Sequence, residues 1–453
     1  MNKNIFREYD IRGVVGVDLT PEIVQILAKG YGTYFLRNNV NKISLGRDGR
    51  LSSPELRDIL VDGITSTGVD IIDLGVVPSP LVYFSTHTLD VGGGVMITGS
   101  HNPSDYNGFK ISLGTESIYG SEILSIWELI NNNDFETGSG TVNEFNILPD
   151  YIRDIVGRLH LNRPVKVAVD PGNGVGGLTS TPILEQLGCD VCTINSEIDG
   201  NFPNHHPDPT VEANNEQLKK VVTDGGFELG IGFDGDADRI GIIAENGNVL
   251  WGDQILAILA RDLLKEEPGS LILGEVKCSK LLFEDIEKHG GRQLMGQVGH
   301  SLAKAKMLET GALLAGEMSG HIFFKHRFYG FDDAVYVAGR FLEIVSKTDL
   351  PVSRYLESWP DLYSTPEIRS ECPDDIKFKV VERTREYFRT IKDYEVIDVD
   401  GMRVNMPGGW GLLRASNTQP VVVLRFEADS EKRLSEIRLE IETALQFQRD
   451  KLV

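Results

Sequence analysis

The feature of this 453-residue sequence that most limits its fold is a strand–loop–helix–strand unit that occurs three times. In the first unit, short apolar runs at residues 43–46 and 69–72 flank a helical segment that ends at Gly68. The other two units begin with the apolar runs at residues 165–169 and 271–274. Such units are typical of parallel βαβ connections. The pattern predicts an α/β protein with three similar α/β domains, whose sheets are mixed and largely parallel.

The pattern changes from about Ser364 onward. Two apolar strands, at residues 401–406 and 421–428, precede a final helix with an apolar face. This combination predicts a C-terminal α+β domain, and a chain of this length is expected to form several domains. We therefore expect four domains, at residues 1–150, 151–250, 251–362 and 363–453.

The charge balance limits the partners of the chain. It has 45 basic and 67 acidic side chains, a formal charge of −22, and no basic run. A nucleic-acid binder needs a broad basic surface, so no nucleic-acid partner is expected. No apolar run reaches the roughly 20 residues of a membrane span. The first residues also lack the apolar core of a secretory signal, so we expect a cytoplasmic protein without a membrane partner.

A polar loop, Thr98-Gly99-Ser100-His101-Asn102-Pro103, follows the apolar run that ends at Ile97. The Ser100 hydroxyl is therefore expected at the carboxyl edge of a sheet, where α/β proteins collect their sites. Ser100 is a candidate nucleophile or phosphoryl carrier, with His101 and Lys110 near it in sequence. The alternative is a helix N-cap. No Gly-x-Ser-x-Gly motif is present, which argues against an esterase.

A second loop, Phe233 to Arg239, places Asp234, Asp236 and Asp238 at alternating positions. Three such carboxylates can converge on one hard divalent cation. The spacing also partly matches an EF-hand with Glu245 at its twelfth position, but Arg239 stands where that loop needs glycine. We expect Mg²⁺, with a phosphate oxygen as a further ligand.

Two further loops carry polar groups suited to a sugar phosphate. Glu317, Ser319 and His321 alternate after a short apolar strand and suit hydrogen bonding to sugar hydroxyls. Between the two tail strands, an arginine and hydroxyl and amide side chains suit phosphate: Arg414, Ser416, Asn417 and Thr418. For both loops, an ordinary polar turn is the alternative.

A glycine-rich segment, Gly172 to Gly177, fits the G-x-G-x-x-G pattern, with Glu197 after the next strand. This pattern is found in dinucleotide-binding sites, so a dinucleotide-dependent oxidoreductase stays an alternative.

Taken together, these loops resemble the α-D-phosphohexomutase superfamily, most closely its bacterial phosphomannomutase/phosphoglucomutase branch. The motifs that match, over essentially the whole chain, are residues 9–13 (YDIRG), 98–103 (TGSHNP), 199–207 (DGNFPNHHP), 233–239 (FDGDADR), 316–321 (GEMSGH) and 414–418 (RASNT). The resemblance implies four domains around a central cleft. It also implies a monomeric isomerase that converts hexose 1-phosphate into hexose 6-phosphate, with mannose and glucose as the sugars.

The resemblance further implies that Ser100 is phosphorylated and that its phosphoryl group passes through a hexose 1,6-bisphosphate, which also serves as activator. Mg²⁺ would be held by Ser100, Asp234, Asp236 and Asp238. The implied catalytic residues are Ser100, His101, Lys110, Arg12 and Arg239. If Lys110 acts as a base, its pKa must be lowered.

Substrate binding is implied for ten residues: Tyr9, Lys277, His300, Glu317, Ser319, His321, Arg414, Ser416, Asn417 and Thr418. Glu275 stands where close relatives often have aspartate, and Gln297 where they commonly have a basic residue. A phosphoglucosamine mutase is the nearest alternative, against which Met318 argues because the amino-sugar branch usually has glutamine there. A noncatalytic sugar-phosphate-binding protein is another alternative.

Overall fold

The structure is a computed structural model that describes residues 2–416 and 419–452. The first sheet and its helices comprise β1 (Ile11–Val14), α1 (Pro21–Arg37), β2 (Lys42–Arg47), α2 (Ser53–Thr65), β3 (Asp70–Val76), α3 (Ser79–Thr88), β4 (Gly93–Ile97), β5 (Tyr106–Leu113), β6 (Glu116–Ser117), α4 (Ser121–Asn131) and β7 (Val142–Glu144). The strand order is β1-β5-β4-β2-β3-β7, with β6 paired to β5. Strand β2 runs parallel to β3 and β4, whereas β5 is antiparallel to β4.

The second sheet follows α5 (Leu148–Arg158) and comprises β8 (Lys166–Asp170), α6 (Gly177–Gln186), β9 (Asp190–Thr193), α7 (Glu216–Gly225), β10 (Leu229–Phe233), β11 (Ile240–Ala244) and β12 (Val249–Leu250). Its order is β12-β11-β10-β8-β9. Strands β9, β8 and β10 are parallel, and β11 returns antiparallel to β10. The turn between β10 and β11 carries the acidic loop.

The third sheet and its helices comprise α8 (Gly252–Glu266), β13 (Leu271–Glu275), α9 (Lys280–Lys288), β14 (Arg292–Gly296), α10 (His300–Thr310), β15 (Leu314–Gly316), β16 (Ile322–Phe324) and α11 (Ala334–Ser346). Its order is β14-β13-β15-β16, and only β16 is antiparallel to its neighbour. The three mixed, mostly parallel sheets confirm the predicted α/β class.

The fourth part comprises β17 (Tyr363–Ser364), β18 (Ile368–Glu371), α12 (Lys377–Arg389), β19 (Glu395–Ile397), β20 (Met402–Met406), β21 (Gly409–Ala415), β22 (Val421–Ala428) and α13 (Glu431–Asp450). All of its strand pairs are antiparallel, as an α+β domain requires. The sequence interpretation missed β21, which lies at the centre of the sheet. One apolar cluster contains buried residues of all first three parts, and the first part has a second cluster of its own. The fourth part has its own cluster and shares a small one, Val276, Trp410 and Leu412, with the third.

The glycine-rich segment 172–177 packs within the protein. A Cβ atom at Gly174 would lie 2.5 Å from the carbonyl oxygen of Gly235 in the acidic loop, and the Val175 amide donates to that same oxygen at 3.1 Å. The amide of Asn173 donates to the carbonyl of Asn195. These amides already have protein acceptors, so the segment supports the acidic loop and is not an open cradle for a dinucleotide.

We predict that Gly174→Ala destabilises the protein, because the added methyl group collides with backbone that cannot rotate away. Overpacking of this kind costs about 1–3 kcal/mol. Gly157→Ala should be neutral or stabilising, because Gly157 lies on the exposed side of α5 and an added Cβ atom would meet open space. Thermal unfolding of both variants checks this, and equal melting temperatures would contradict it.

Candidate active site

Ser100 lies at the carboxyl end of β4, where the sequence placed it. The chain turns directly from this loop into β5, so the helix N-cap alternative was wrong. Ser100 is 2% exposed and has a left-handed φ of 49°. Its Oγ donates to Asp234 Oδ2 at 2.8 Å and lies 3.1 Å from His101 Nδ1. The hydroxyl therefore joins the first sheet to the acidic loop of the second.

The three aspartates of the acidic loop are fully buried and lie together. Asp234, Asp236 and Asp238 each offer an oxygen within 4.8 Å of the others. Asp234 Oδ1 accepts from the amides of Asp238 and Arg239, both at 3.1 Å, which fixes the loop. Burial and the two neighbouring carboxylates raise the pKa of Asp234 well above its usual value. Glu245 instead accepts from Ser353, which excludes the EF-hand interpretation.

Lys110 reaches across from β5 into this cluster. Its Nζ donates to Asp236 Oδ2 at 2.6 Å and to Asp238 Oδ2 at 2.5 Å. Burial lowers the pKa of Lys110, but the two carboxylates outweigh burial and raise that pKa well above its usual value. This direction is the opposite of what a lysine base requires. In this arrangement Lys110 is a protonated counter-charge.

The cluster has spare ligand atoms for a cation. Asp236 Oδ1 and Asp238 Oδ1 are buried and have no hydrogen-bond partner among the residues that the structure describes. Buried carboxylate oxygens without donors are unfavourable unless a positive charge compensates them. The all-oxygen donor set of Asp234, Asp236, Asp238 and the Ser100 hydroxyl fits a hard divalent cation.

Three cationic or imidazole groups surround Ser100. Burial, together with the positive charges of Arg239 and Arg12, lowers the pKa of His101 well below its usual value, so this imidazole is neutral. Arg12 donates to Asn102 Oδ1 and to Asp10 Oδ2, both at 2.5 Å. Arg239 and Arg12 therefore lie close enough to His101 to keep it uncharged, although the chain as a whole is acidic.

His321 and His300 form a stacked pair, with ring centroids 5.5 Å apart. Arg239 Nε donates to His321 Nε2 at 3.0 Å, so the His321 ring proton lies on Nδ1. That Nδ1 is 3.2 Å from Asp332 Oδ2 and 3.5 Å from Asp238 Oδ1. Asp332 also binds Lys304 at 3.0 Å. The sequence interpretation missed Asp332, because nothing in its local pattern separates it from a helix cap.

In the predicted sugar loop, hydrogen bonds from nearby protein groups hold the carboxylate of Glu317 in place. Glu317 is 3% exposed, and its two oxygens accept from the Gly299 amide at 2.7 Å and from Ser319 Oγ at 3.0 Å. The amide of Met318 donates to Glu275 Oε1 at 3.0 Å. Burial, above all, raises the pKa of Glu275 to about 7.

A second group of predicted residues lies between the third part and the tail. Arg414 Nε donates to Asp400 Oδ2 at 3.0 Å, and the same oxygen accepts from the Val298 amide at 3.1 Å. Tyr9 donates to the Val298 carbonyl at 3.1 Å, which brings the N-terminal segment here. Lys277 lies 3.3 Å from Glu367 and 3.6 Å from Glu275.

The tail loop is described only in part. Ser416 follows β21 and is buried, and the Gln419 amide donates to its Oγ at 3.1 Å. The predictions for Asn417 and Thr418 lie outside the described residues. Arg414 Nη2 is buried without a hydrogen-bond partner within residues 2–416 and 419–452. A buried guanidinium nitrogen without an acceptor fits an anionic ligand. Within the same residues, no helix is both long and apolar enough to cross a membrane.

The sequence matches four domain models described as phosphoglucomutase/phosphomannomutase. The matches are alpha/beta/alpha domain I at residues 3–137, domain II at 149–247, domain III at 251–363 and the C-terminal domain at 367–444.

Relatives match over nearly their whole length. A phosphomannomutase/phosphoglucomutase of Pseudomonas putida is 44% identical over 435 residues, covering 96% of this chain and 94% of that protein. A phosphoglucomutase of Neisseria gonorrhoeae is 42% identical over 441 residues, covering 97% and 96%. The crystal structure of a phosphoglucomutase/phosphomannomutase family protein from Burkholderia thailandensis superposes with a TM-score of 0.94 at 40% identity, covering 99% of this chain and 98% of that one. This chain therefore belongs to the phosphoglucomutase/phosphomannomutase family of α-D-phosphohexomutases.

Proposed function

We propose that this chain is an isomerase that reversibly converts hexose 1-phosphate into hexose 6-phosphate, with mannose and glucose as the sugars. The observation that carries the proposal is the contact of the Ser100 hydroxyl with a buried group of three carboxylates, at 2.8 Å from Asp234. The names of the relatives support the same reaction. Its substrates are small sugar phosphates, and the protein acts as a monomer in the cytoplasm.

Ser100 carries a phosphoryl group in the resting enzyme. The free hydroxyl of the sugar phosphate attacks that phosphorus, the bond from phosphorus to Ser100 Oγ breaks, and a hexose 1,6-bisphosphate forms. The intermediate then turns over in the cleft between the four domains. Ser100 Oγ attacks the other phosphate, the bond to the sugar oxygen breaks, and the isomeric monophosphate leaves. Such transfers depend on positioning and charge neutralisation more than on covalent help. Added hexose 1,6-bisphosphate restores any enzyme that has lost its phosphoryl group.

Asp234, Asp236, Asp238 and an oxygen on Ser100 would hold Mg²⁺, and their buried, partly unpartnered oxygens fit it. When bound, the ion would neutralise charge on the transferring phosphoryl group. Lys110, Arg12 and Arg239 add positive charge around the same oxygens. The neutral imidazole of His101 is the group able to accept the proton of the attacking hydroxyl, because the Nε2 lone pair of His321 already accepts from Arg239.

The remaining predicted residues bind the part of the substrate that does not react. Glu317 and Ser319 accept and donate hydrogen bonds to sugar hydroxyls in either orientation, beside His300 and His321. The distant phosphate is held by Lys277, Arg414, Ser416, Asn417 and Thr418. Tyr9 closes the cleft through its contact with Val298. The tail domain moves over the bound sugar and keeps water away from the phosphoserine.

We expect the C1 phosphate signal in ³¹P NMR to become a C6 phosphate signal with both mannose 1-phosphate and glucose 1-phosphate. The assay contains Mg²⁺ and catalytic glucose 1,6-bisphosphate. Conversion of glucosamine 1-phosphate alone would instead indicate a phosphoglucosamine mutase. Binding without conversion of any of the three sugars would indicate a noncatalytic binding protein.

We predict that Ser100→Ala abolishes the conversion, because no other group takes over the covalent phosphoryl transfer. The loss should be at least about 10³-fold in kcat. Ser104→Ala, at an exposed serine of the same loop, should keep wild-type activity. Full activity in Ser100→Ala would contradict the phosphoserine mechanism.

We predict that Mg²⁺ raises the melting temperature of the wild-type protein. The three carboxylates that bind it lie together only in the folded state, so the ion stabilises that state. At about 100 times its dissociation constant, a ligand stabilises the folded state by about 2.7 kcal/mol. Asp236→Asn should lose this rise, whereas Asp224→Asn, on the exposed face of the same domain, should keep it. Removal of Mg²⁺ with EDTA should abolish activity, and readdition should restore it. An unchanged rise in Asp236→Asn would contradict the assigned metal site.

A further inference from the structure

Arg50 is a fully buried arginine in the loop after β2, outside the predicted site. Its side chain is 0% exposed. Nη2 donates to the carbonyls of Ser100 at 2.8 Å and Asn102 at 2.6 Å. Nη1 donates to the carbonyls of Pro103 at 2.5 Å and Tyr106 at 2.9 Å. One guanidinium therefore binds three carbonyls of the loop that carries Ser100 and the carbonyl of Tyr106, the first residue of β5.

The loop needs such support. Ser100 has a φ of 49°, a left-handed conformation that costs a residue with a side chain of the order of 1 kcal/mol or more. Its carbonyl is also close to the acidic loop, since a Cβ atom at Gly235 would lie 2.6 Å from Ser100 O. Strained backbone persists only where the surroundings determine it. The contacts of Arg50 with the loop carbonyls hold Ser100 in this strained conformation.

Arg50 is itself fixed from two sides. Asp48 Oδ2 lies 3.2 Å from Arg50 Nε and accepts from the Gly99 amide at 3.2 Å, so the same carboxylate binds both the arginine and the loop. From the second domain, the Phe202 ring lies over the guanidinium at 5.2 Å. A Cβ atom at Gly200 would lie 2.8 Å from Arg50 Cα. This contact gives a role to the motif at residues 199–207, which the proposed mechanism does not use.

We propose that Arg50 is a positioning residue for phosphoryl transfer, which holds the loop at residues 99–106 so that Ser100 Oγ meets Asp234. The role needs the guanidinium fork. Lysine has a single nitrogen with three donors and cannot reach four carbonyls in this geometry. The inference rests on the proposed function of Ser100, and it adds the residue that sets the orientation of that serine.

The test compares Arg50→Lys with Arg57→Lys, a partly exposed arginine of the same domain that pairs with Asp73. We expect kcat of Arg50→Lys to fall about 100-fold while KM stays within about threefold, because misplacement by about 1 Å affects transfer and not sugar binding. Arg57→Lys should keep both constants. A fall confined to KM, an equal fall in Arg57→Lys, or unchanged kcat would each overturn the proposal.

Amide hydrogen exchange gives a second readout that does not depend on catalysis. Amides of the loop are hydrogen-bonded, including Ser100 to Thr98 Oγ1 at 2.8 Å. We expect faster exchange at residues 99–106 in Arg50→Lys only. If the wild-type protein has neither phosphoserine nor mutase activity, the proposed function fails, and exchange alone decides the role of Arg50. Unchanged exchange would overturn it.

A third variant decides the question if Arg50→Lys does not fold. Phe202→Leu keeps the Arg50 side chain and removes the ring that lies over its guanidinium, so the guanidinium is held less firmly against its four carbonyls. We expect kcat to fall about fivefold at unchanged KM. A fall of this size corresponds to a change in activation free energy similar to the energy of one cation–π contact. A wild-type kcat in this folded variant would overturn the proposal.

Discussion

The ion pair of Lys110 with Asp236 and Asp238 is the contact on which the rest of the site depends. It is buried, with the Lys110 side chain 5% exposed and both aspartate side chains 0% exposed, and it joins strand β5 of the first sheet to the acidic loop of the second. Removing one partner of such a pair leaves an uncompensated buried charge, at a cost of about 3–5 kcal/mol. The pair therefore fixes the distance between the two domains, and with it the contact of Ser100 with Asp234.

The surrounding backbone explains how so many charges stay buried. The acidic loop supplies its own amides to Asp234, and Ser79 donates to Asp236 Oδ2. Glycines at 174 and 235 let three backbone segments approach more closely than any side chain would permit. The result is a rigid, preorganised set of oxygens in a region of low dielectric, where the interaction with a cation is much stronger than in water.

The sequence predicted the α/β class, the C-terminal α+β domain and the positions of the polar loops. It could do so because the spacing of apolar residues and the alternation of carboxylates are local patterns. It could not predict that Lys110 meets Asp236, since the two are 126 residues apart. Arg50 was missed because it is one of 45 basic residues with no pattern of its own. Strand β21 was missed because Gly409 and Gly411 are unusual in strands, and packing against α13 overrides that propensity.

The tail domain influences the site by binding the backbone around Lys277. Arg403 donates to the carbonyls of Val276 and Cys278, both at 2.7 Å, and lies on the Trp410 ring at 3.7 Å. Arg425 donates to the carbonyl of Lys277. These buried, charge-assisted contacts fix the peptide on either side of Lys277, so its ammonium is placed by the docking of the tail. Arg414 lies on the same sheet as Arg403. In this arrangement the two cations that would hold a distant phosphate are therefore positioned by one interface.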